Sequence, residues 1–321
     1  MRNWNVPNLR FLRTFVAIVD NAGFARAAAQ LNLTQSAASR QIQALESELG
    51  LRLFARTGRS MRLTPEGEDL LVRSRRLLSD AEAIGQRANA LKTGDVGVLR
   101  VGATPQVIEN LLADFLLRYR KRHTGVEVHL VEDGGSRLPA RLERGDIEVA
   151  VMPAAEDRFS GRLLYPMHVL AVLPPGHRLS RRAVLEVTEL ADEPLLRLSS
   201  SFASHAWFEA ACQVAHIRPR VLLESVAPQT LIALARTGHG VAVVPSPVRL
   251  GAGVRAAVVV HRGAPIGRWA VAAWDGQRYL PPYAMQFVEE LAVHCRRSYP
   301  GHEYSRRAPA LPRPKVTVGS A

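Results

Sequence analysis

The sequence predicts an α/β protein in two parts, a small helical head and a larger domain of alternating strands and helices, and three observations carry that reading. Apolar residues recur at helical spacing through the first fifty positions. A seven-residue apolar repeat follows Pro65, and from Val98 onward short β-rich runs alternate with amphipathic helices. A chain of 321 residues is long enough for two domains with sizeable cores. It has no apolar run of about 18 residues, and residues 1–10 lack the basic-then-apolar pattern of an export signal, so no membrane partner is expected and the cytoplasm is the expected location.

In the head, Leu9, Leu12, Phe15, Val16 and Val19 form the stripe of a first helix that stops near Asn21 and Gly23. Residues 24–31 make a short second helix, whose Ala25, Ala27, Ala28 and Ala29 let a neighbour approach closely. Asn32 follows as a turn residue that tolerates a left-handed backbone. Thr34 is placed to cap a third helix, in which Ala38, Ile42, Leu45 and Leu49 are the buried stripe and Gly50 is the stop. With Thr34 at its start, the opposite face carries Gln35, Ser36, Ser39, Arg40 and Gln43. It is polar and positively charged, as a helix that reads base edges in a major groove must be. Residues 53–56 and 60–63 are strand-like runs around Thr57-Gly58, a wing that brings Arg56, Arg59 and Arg62 toward phosphates or the minor groove. These are the parts of a winged helix-turn-helix over residues 1–65, and double-stranded DNA is its expected partner.

Charge agrees once it is located. Residues 1–65 hold nine basic and three acidic side chains, residues 66–295 hold 27 and 25, and residues 296–321 hold six and one. A basic head beside a nearly neutral body suits a polyanion-binding module joined to a domain with other duties.

Thr64-Pro65-Glu66 supplies a cap, a first-turn proline and an acid for a long helix over 66–94. Along it Leu70, Leu77, Ile84 and Leu91 repeat every seven residues, with Ser74, Ala81 and Ala88 between them, and Arg73, Arg75, Arg76, Glu82 and Arg87 occupy the other faces. A seven-residue stripe predicts a dimerisation seam. A dimer would also offer two recognition helices to two half-sites.

Residues 15–67, FVAIVDNAGFARAAAQLNLTQSAASRQIQALESELGLRLFARTGRSMRLTPEG, closely resemble the DNA-binding end of LysR-type transcriptional regulators. The likeness includes the small residues of the second helix, the TQSAASRQI recognition helix, the ELGLRLF exit and the LTPEG that closes the wing. The resemblance implies a coiled linker helix and a two-lobed, periplasmic-binding-protein-like domain that binds a small-molecule effector. It further implies a homo-oligomer, usually a tetramer built as a dimer of dimers, and RNA polymerase as a further partner.

Read from its own residues, the stretch 95–297 agrees. Residues 98–102 read as a strand, 107–119 as an amphipathic helix with Leu111, Leu112, Phe115 and Leu116 inward, and 126–131 as a second strand, which is a β-α-β crossover. A short helix at 138–142, a turn at Gly145-Asp146 and a strand at 147–152 complete one half. A second half spans 169–244, with strands at 169–173 and 195–198, a helix around 207–214, and a run at 221–223 leading into a helix at 230–236. The segment GHGVAVVP, residues 238–245, resembles the family's glycine-rich turn and strand, with His239 at a position often apolar. The strand 269–274 and the helix 283–295 return to finish the first half.

Two open α/β halves leave a cleft at the carboxyl ends of their strands. Thr104-Pro105 and Ser199-Ser200-Ser201 are the loops expected to face it. Their hydroxyls and helix-start amides suit a carboxylate or another small anion, and the family's effector contacts resemble these same loops. Met152, Phe202, Val226 and Pro245 are the expected apolar neighbours. No nucleophile elbow, zinc-protease or phosphate-loop motif is present, and neither the ten histidines nor Cys212 and Cys295 have ligand spacing, so no catalytic site, metal or cofactor is expected. The cysteines read as buried thiols. The competing function class is a ligand-blind architectural or nucleoid-type DNA-binding protein, from which an effector-dependent footprint would separate a regulator. The tail, 298–321, has four prolines beside Arg306, Arg307, Arg313 and Lys315, a composition that predicts disorder.

Overall fold

The computed structural model describes residues 7–57, 60–93, 96–154 and 158–315, and contacts divide them into two units that part after Ala88. In the first unit α1 (Leu9–Asp20), α2 (Phe24–Gln30) and α3 (Gln35–Leu49) close around Phe15, Ile18, Ala27, Ile42 and Leu45. The local signals hold. Asn32 turns the chain with φ 54°, Thr34 Oγ1 accepts from Ala37 N at 3.1 Å, and Gly50 ends α3 with φ 67°. Such a cap stabilises a helix by about 1 kcal/mol.

A hairpin follows, β1 (Phe54–Thr57) antiparallel to β2 (Ser60–Leu63), with Thr57 opposite Ser60. It is tied to α3 by Glu46, a buried carboxylate that accepts from Leu53 N at 2.8 Å and Phe54 N at 3.3 Å and meets Arg52 at 3.2 Å. Thr64 Oγ1 donates to Arg52 O at 2.7 Å and accepts from Gly67 N at 2.9 Å, starting α4 (Pro65–Thr93). At Gly67 a Cβ would lie 2.3 Å from Leu53 O, so no side chain fits there.

The linker stripe is narrower than expected. Leu70, Leu71 and Leu78 pack on the head's own core and Ser74 is buried, so Leu70 and Ser74 do not belong to an open seam. Leu77 and Ile84 stay uncovered, 41% and 72% exposed. The side chain of Leu91 lies outside the described residues.

The second unit has two lobes on one continuous sheet. In the first lobe, β3 (Gly97–Ala103) leads into a helical run of α5 (Pro105–Val107), a π turn at Ile108–Leu112 and α6 (Ala113–Arg122). Then come β4 (Val126–Glu132), α7 (Leu138–Arg144) and β5 (Val149–Pro153). β3 pairs in parallel with β4 and β5. β6 (Ser160–Leu173) then runs on into the second lobe. That lobe adds β7 (Val184–Glu186), β8 (Leu195–Leu198), α8 (Ala203–Val214), β9 (Val221–Ser225), α9 (Pro228–Arg236), β10 (Val241–Pro245), β11 (Arg255–His261) and β12 (Ala264–Pro265). β13 (Gly267–Trp274) and α10 (Pro282–Arg297) return to the first lobe, and the short α11 (His302–Ser305) follows. The main path of the sheet is β4-β3-β5-β13-β6-β10-β8-β9.

β6 is shared. Its residues 160–168 pair with β13, and 169–173 pair with β10 and β11. The sequence places its start at 169 because Gly161, Arg162 and Pro166 break the look of a strand. Alternation along its second half sends Val169 and Ala171 into one core of the second lobe and Leu170 and Val172 into the other. The first lobe closes around Leu99, Val101, Phe115, Tyr119, Tyr165 and Phe287. Among the described residues no helix is long and apolar enough to cross a membrane.

Residues 298–315 depart from the disorder that their composition predicts. Tyr299 stacks on Tyr165, ring centres 5.2 Å apart and planes at 14°. Tyr304 on α11 is buried among Leu170, Leu196 and Val248, and Leu311 is buried as well. Three large side chains dock a run whose average character is polar and proline-rich. Residues beyond 315 lie outside the described part.

Candidate DNA interface and effector cleft

On α3 the side opposite Ala38, Ile42 and Leu45 presents Gln35, Ser36, Arg40 and Gln43 to solvent, with Ser39 half-buried at its edge. Thr34 is exposed but engaged, capping the helix and lying 3.0 Å from Ser36 Oγ. Behind α3, buried Thr14 of α1 donates to Gln41 Oε1 at 2.6 Å, which fixes the helix against rotation. Arg40 has no ion pair among the described residues, leaving its guanidinium for a partner. Arg56 lies on β1 opposite Met61. Its side chain, and Arg59 altogether, fall outside the described residues.

The cleft between the lobes is built from strand ends and helix starts. Thr104, Gln106 and Val107 come from the β3-to-α5 junction, Val151, Met152 and Pro153 from the end of β5, and Phe202, Ala203, Ser204 and Trp207 from the start of α8. Met167 of β6, Ala270 of β13, and Pro245 and Pro247 at the end of β10 complete it with Gly135. It is narrow, about 40 Å³ to the centre of a water molecule, room for a few waters. None of these lining side chains is ionisable. Thr104 caps α5 without using its hydroxyl, and Gln106 and Ser204 are buried polar side chains at the cleft wall.

Of the expected effector residues, Thr104, Met152, Phe202 and Pro245 line the cleft, whereas Pro105 starts the helix behind it. Ser199, Ser200 and Ser201 form a lip instead of a wall. Ser199 and Ser201 hydroxyls meet at 2.8 Å, and Ser136 Oγ of the other lobe donates to Ser201 O at 2.9 Å, sealing the mouth. The facing lip is held by Asp133. Burial alone would raise its pKa, yet Arg141, the Gly134 N–H and Arg137 hold the carboxylate below its ordinary value. Val226 is misplaced by the sequence reading. An Ala227 N–H bond to Ser225 Oγ at 3.0 Å turns the chain so that Val226 faces solvent, 71% exposed. Gln106, Ser204 and Trp207 are missed there, although Ser204 and Trp207 lie three residues apart on the helix that follows the serine loop. Met167 becomes visible only once β6 is known to cross between lobes.

Residues 9–68 match the bacterial regulatory helix-turn-helix protein model of the lysR family, and residues 92–296 match the LysR substrate binding domain. The chain belongs to the LysR family of transcriptional regulators. It is a LysR-type regulator with a DNA-binding head and an effector-binding domain, and nothing in these matches supports the ligand-blind architectural alternative. The HTH-type transcriptional regulator YnfL of Escherichia coli K12 is 31% identical over 243 residues, 74% of this chain and 82% of that protein. A probable hydrogen peroxide-inducible genes activator of Mycobacterium avium is 30% identical, covering 74% of this chain and 78% of that one. Among solved structures, a peroxide-bound cysteine mutant of Corynebacterium glutamicum OxyR is 25% identical with a TM-score of 0.58, over 97% of this chain and 99% of that one.

Proposed function

We propose that this regulator acts in the cytoplasm as a homo-oligomer, a dimer or a tetramer. It reads a duplex site through Gln35, Ser36, Ser39, Arg40 and Gln43, with Arg56 and Arg59 of the wing on the backbone. Its cleft takes a compact, largely apolar effector with one polar or singly anionic end. The observation that carries the effector's character is the lining itself, Trp207, Phe202, Met152 and Met167 around three polar side chains and no charge. Thr104, Gln106 and Ser204 would hold the polar end, and the aromatic and sulfur-bearing walls the body.

Peroxide, which gives one relative its name, does not suit this chain. Thiol oxidation runs through the thiolate. Cys212 and Cys295 are its only cysteines, both are buried, and burial pushes each thiol up to about 12.

A thermal-shift screen of the full chain tests the effector class. Singly charged aromatic and branched aliphatic carboxylates should stabilise it, and the best of them should alter the protein's footprint on its promoter DNA. Stabilisation confined to sugar phosphates or tricarboxylates would contradict the reading.

A further inference from the structure

From Gly301 onward the C-terminal segment lies on the face of the crossing strands opposite the cleft, whereas Tyr299, stacked on Tyr165, is on the cleft's own face. Residues paired across antiparallel strands point to the same face. β6 and β13 pair so that His168 is opposite Gly267, Pro166 opposite Trp269 and Tyr165 opposite Ala270, and Pro245 of β10 is opposite Val169 of β6. One face therefore holds Met167, Ala270 and Pro245, which line the cleft. The other holds His168, Gly267, Trp269 and, next after Pro245, Ser246.

Residues 301–313 run over that second face. Gly301, with φ 82°, lies against Ser246, where a Cβ would come within 2.7 Å of the carbonyl oxygen. Ser305 Oγ is 3.2 Å from His168 Nε2. Trp269 Nε1 donates to Leu311 O at 3.3 Å, and the Arg313 guanidinium sits 5.3 Å over the Trp269 ring. The segment is also anchored at both ends of the hinge, Tyr299 against the core of the first lobe and Tyr304 within that of the second. The family's substrate-binding match stops at residue 296, just before this segment.

We propose that residues 298–315 are a strap that wraps the hinge, from Tyr299 on one face of the crossing strands to Ser305 and Leu311 on the other, and holds the two lobes at the closed angle. The cleft is closed in this structure, with Ser136 bonded to Ser201 across its mouth and no room for a Cβ at Gly134 beside Ser201 O. The strap fixes the crossing strands at the hinge while the lips meet across the mouth. Without it the open angle gains population. Its consequence for regulation rests on the cleft being the effector site; the strap itself does not.

Amide hydrogen exchange on the full chain without effector tests this. A chain ending at Ser298, and the milder double variant Ser305→Ala/Leu311→Ala, should exchange roughly tenfold faster at the lips, residues 133–137 and 199–204, as local opening becomes easier. Residues 9–63 of the head should be unchanged. If the truncated chain fails to fold, the double variant alone decides. Faster exchange confined to the strap's own neighbours, 165–172 and 267–269, with the lips as in the wild type, would overturn the proposal and leave the segment a mere cover. Because no effector is added, failure to find one would count against the cleft's role and leave this result standing.

Discussion

At the scale of single residues, His168 is the side chain whose position has the most measurable consequence. It is 1% exposed at the hinge. Its backbone N–H donates to Ser246 Oγ at 3.1 Å and its ring meets Ser305, while Nδ1 has no hydrogen-bond partner among the described residues. Burial pushes the ring down from 6.5 to about 4. Between those values the unfolded chain binds a proton that the folded chain refuses, so stability rises with pH across that window and is lost as pH falls. The loss grows from pH 6.5 to about 4 and reaches up to about 3 kcal/mol for a shift of that size. Above 6.5 the ring is neutral in both states and pH no longer acts through it. His168→Gln, which keeps an amide for Ser305, should flatten this part of the profile. Urea midpoints from pH 4.5 to 7.5 measure it, and an equally steep fall in the variant would assign the acid sensitivity to another group.

At the scale of elements, α4 leaves Leu77 and Ile84 uncovered while Leu70, Leu71 and Leu78 serve the head. Two exposed aliphatic residues one heptad apart are the arrangement a partner helix would bury. Leu77→Asp or Ile84→Asp should dissociate the oligomer at micromolar concentration without unfolding the head, whereas Leu71→Asp, placed in the head's core, should unfold it. Sedimentation with circular dichroism separates the two outcomes, and an intact oligomer in both seam variants would remove α4 from the interface. The same helix shows what the sequence makes legible. Caps, stops and the Asn32 turn are local and were readable as they stand; the heptad was readable too, but which of its members the head would claim depended on tertiary packing. Thr104 was legible because a strand-to-helix junction marks it. Val226 was not, since a two-residue serine turn reverses its direction, and the 160–168 half of β6 was hidden by Gly161 and Pro166. The strap was hidden for a different reason: Tyr299, Tyr304 and Leu311 dock on surfaces that no count of prolines and arginines reveals.

At the scale of the whole molecule, α4 joins the DNA-binding unit to the effector-binding unit, and on the proposed reading an effector acts through its preference for one angle between the lobes of the second. A ligand equally content with both would shift nothing, however tightly it bound. In the closed cleft Thr104 offers a hydroxyl from one lobe while Ser204 and Trp207 face it from the other, so a ligand small enough for that space favours closure and a bulkier one, such as an aromatic carboxylate, favours a wider angle. Linkage then requires that DNA and effector change each other's affinity by the same factor, with coupling of roughly 1 to 3 kcal/mol. Thr104→Val keeps the shape and the helix start, since the hydroxyl makes no cap bond, and removes only the polar contact. It should therefore leave the fold and the effector-free affinity for DNA unchanged, weaken the best carboxylate found by thermal shift by about 1 kcal/mol or more through the lost hydrogen bond, and need more of that ligand to move the footprint. Titrating ligand in the presence and absence of promoter DNA, for wild type and variant, measures both arms. Wild-type-like binding by the variant would place the polar end at Gln106 or Ser204 instead, and ligand affinity unaffected by DNA would mean that filling the cleft does not reach the head.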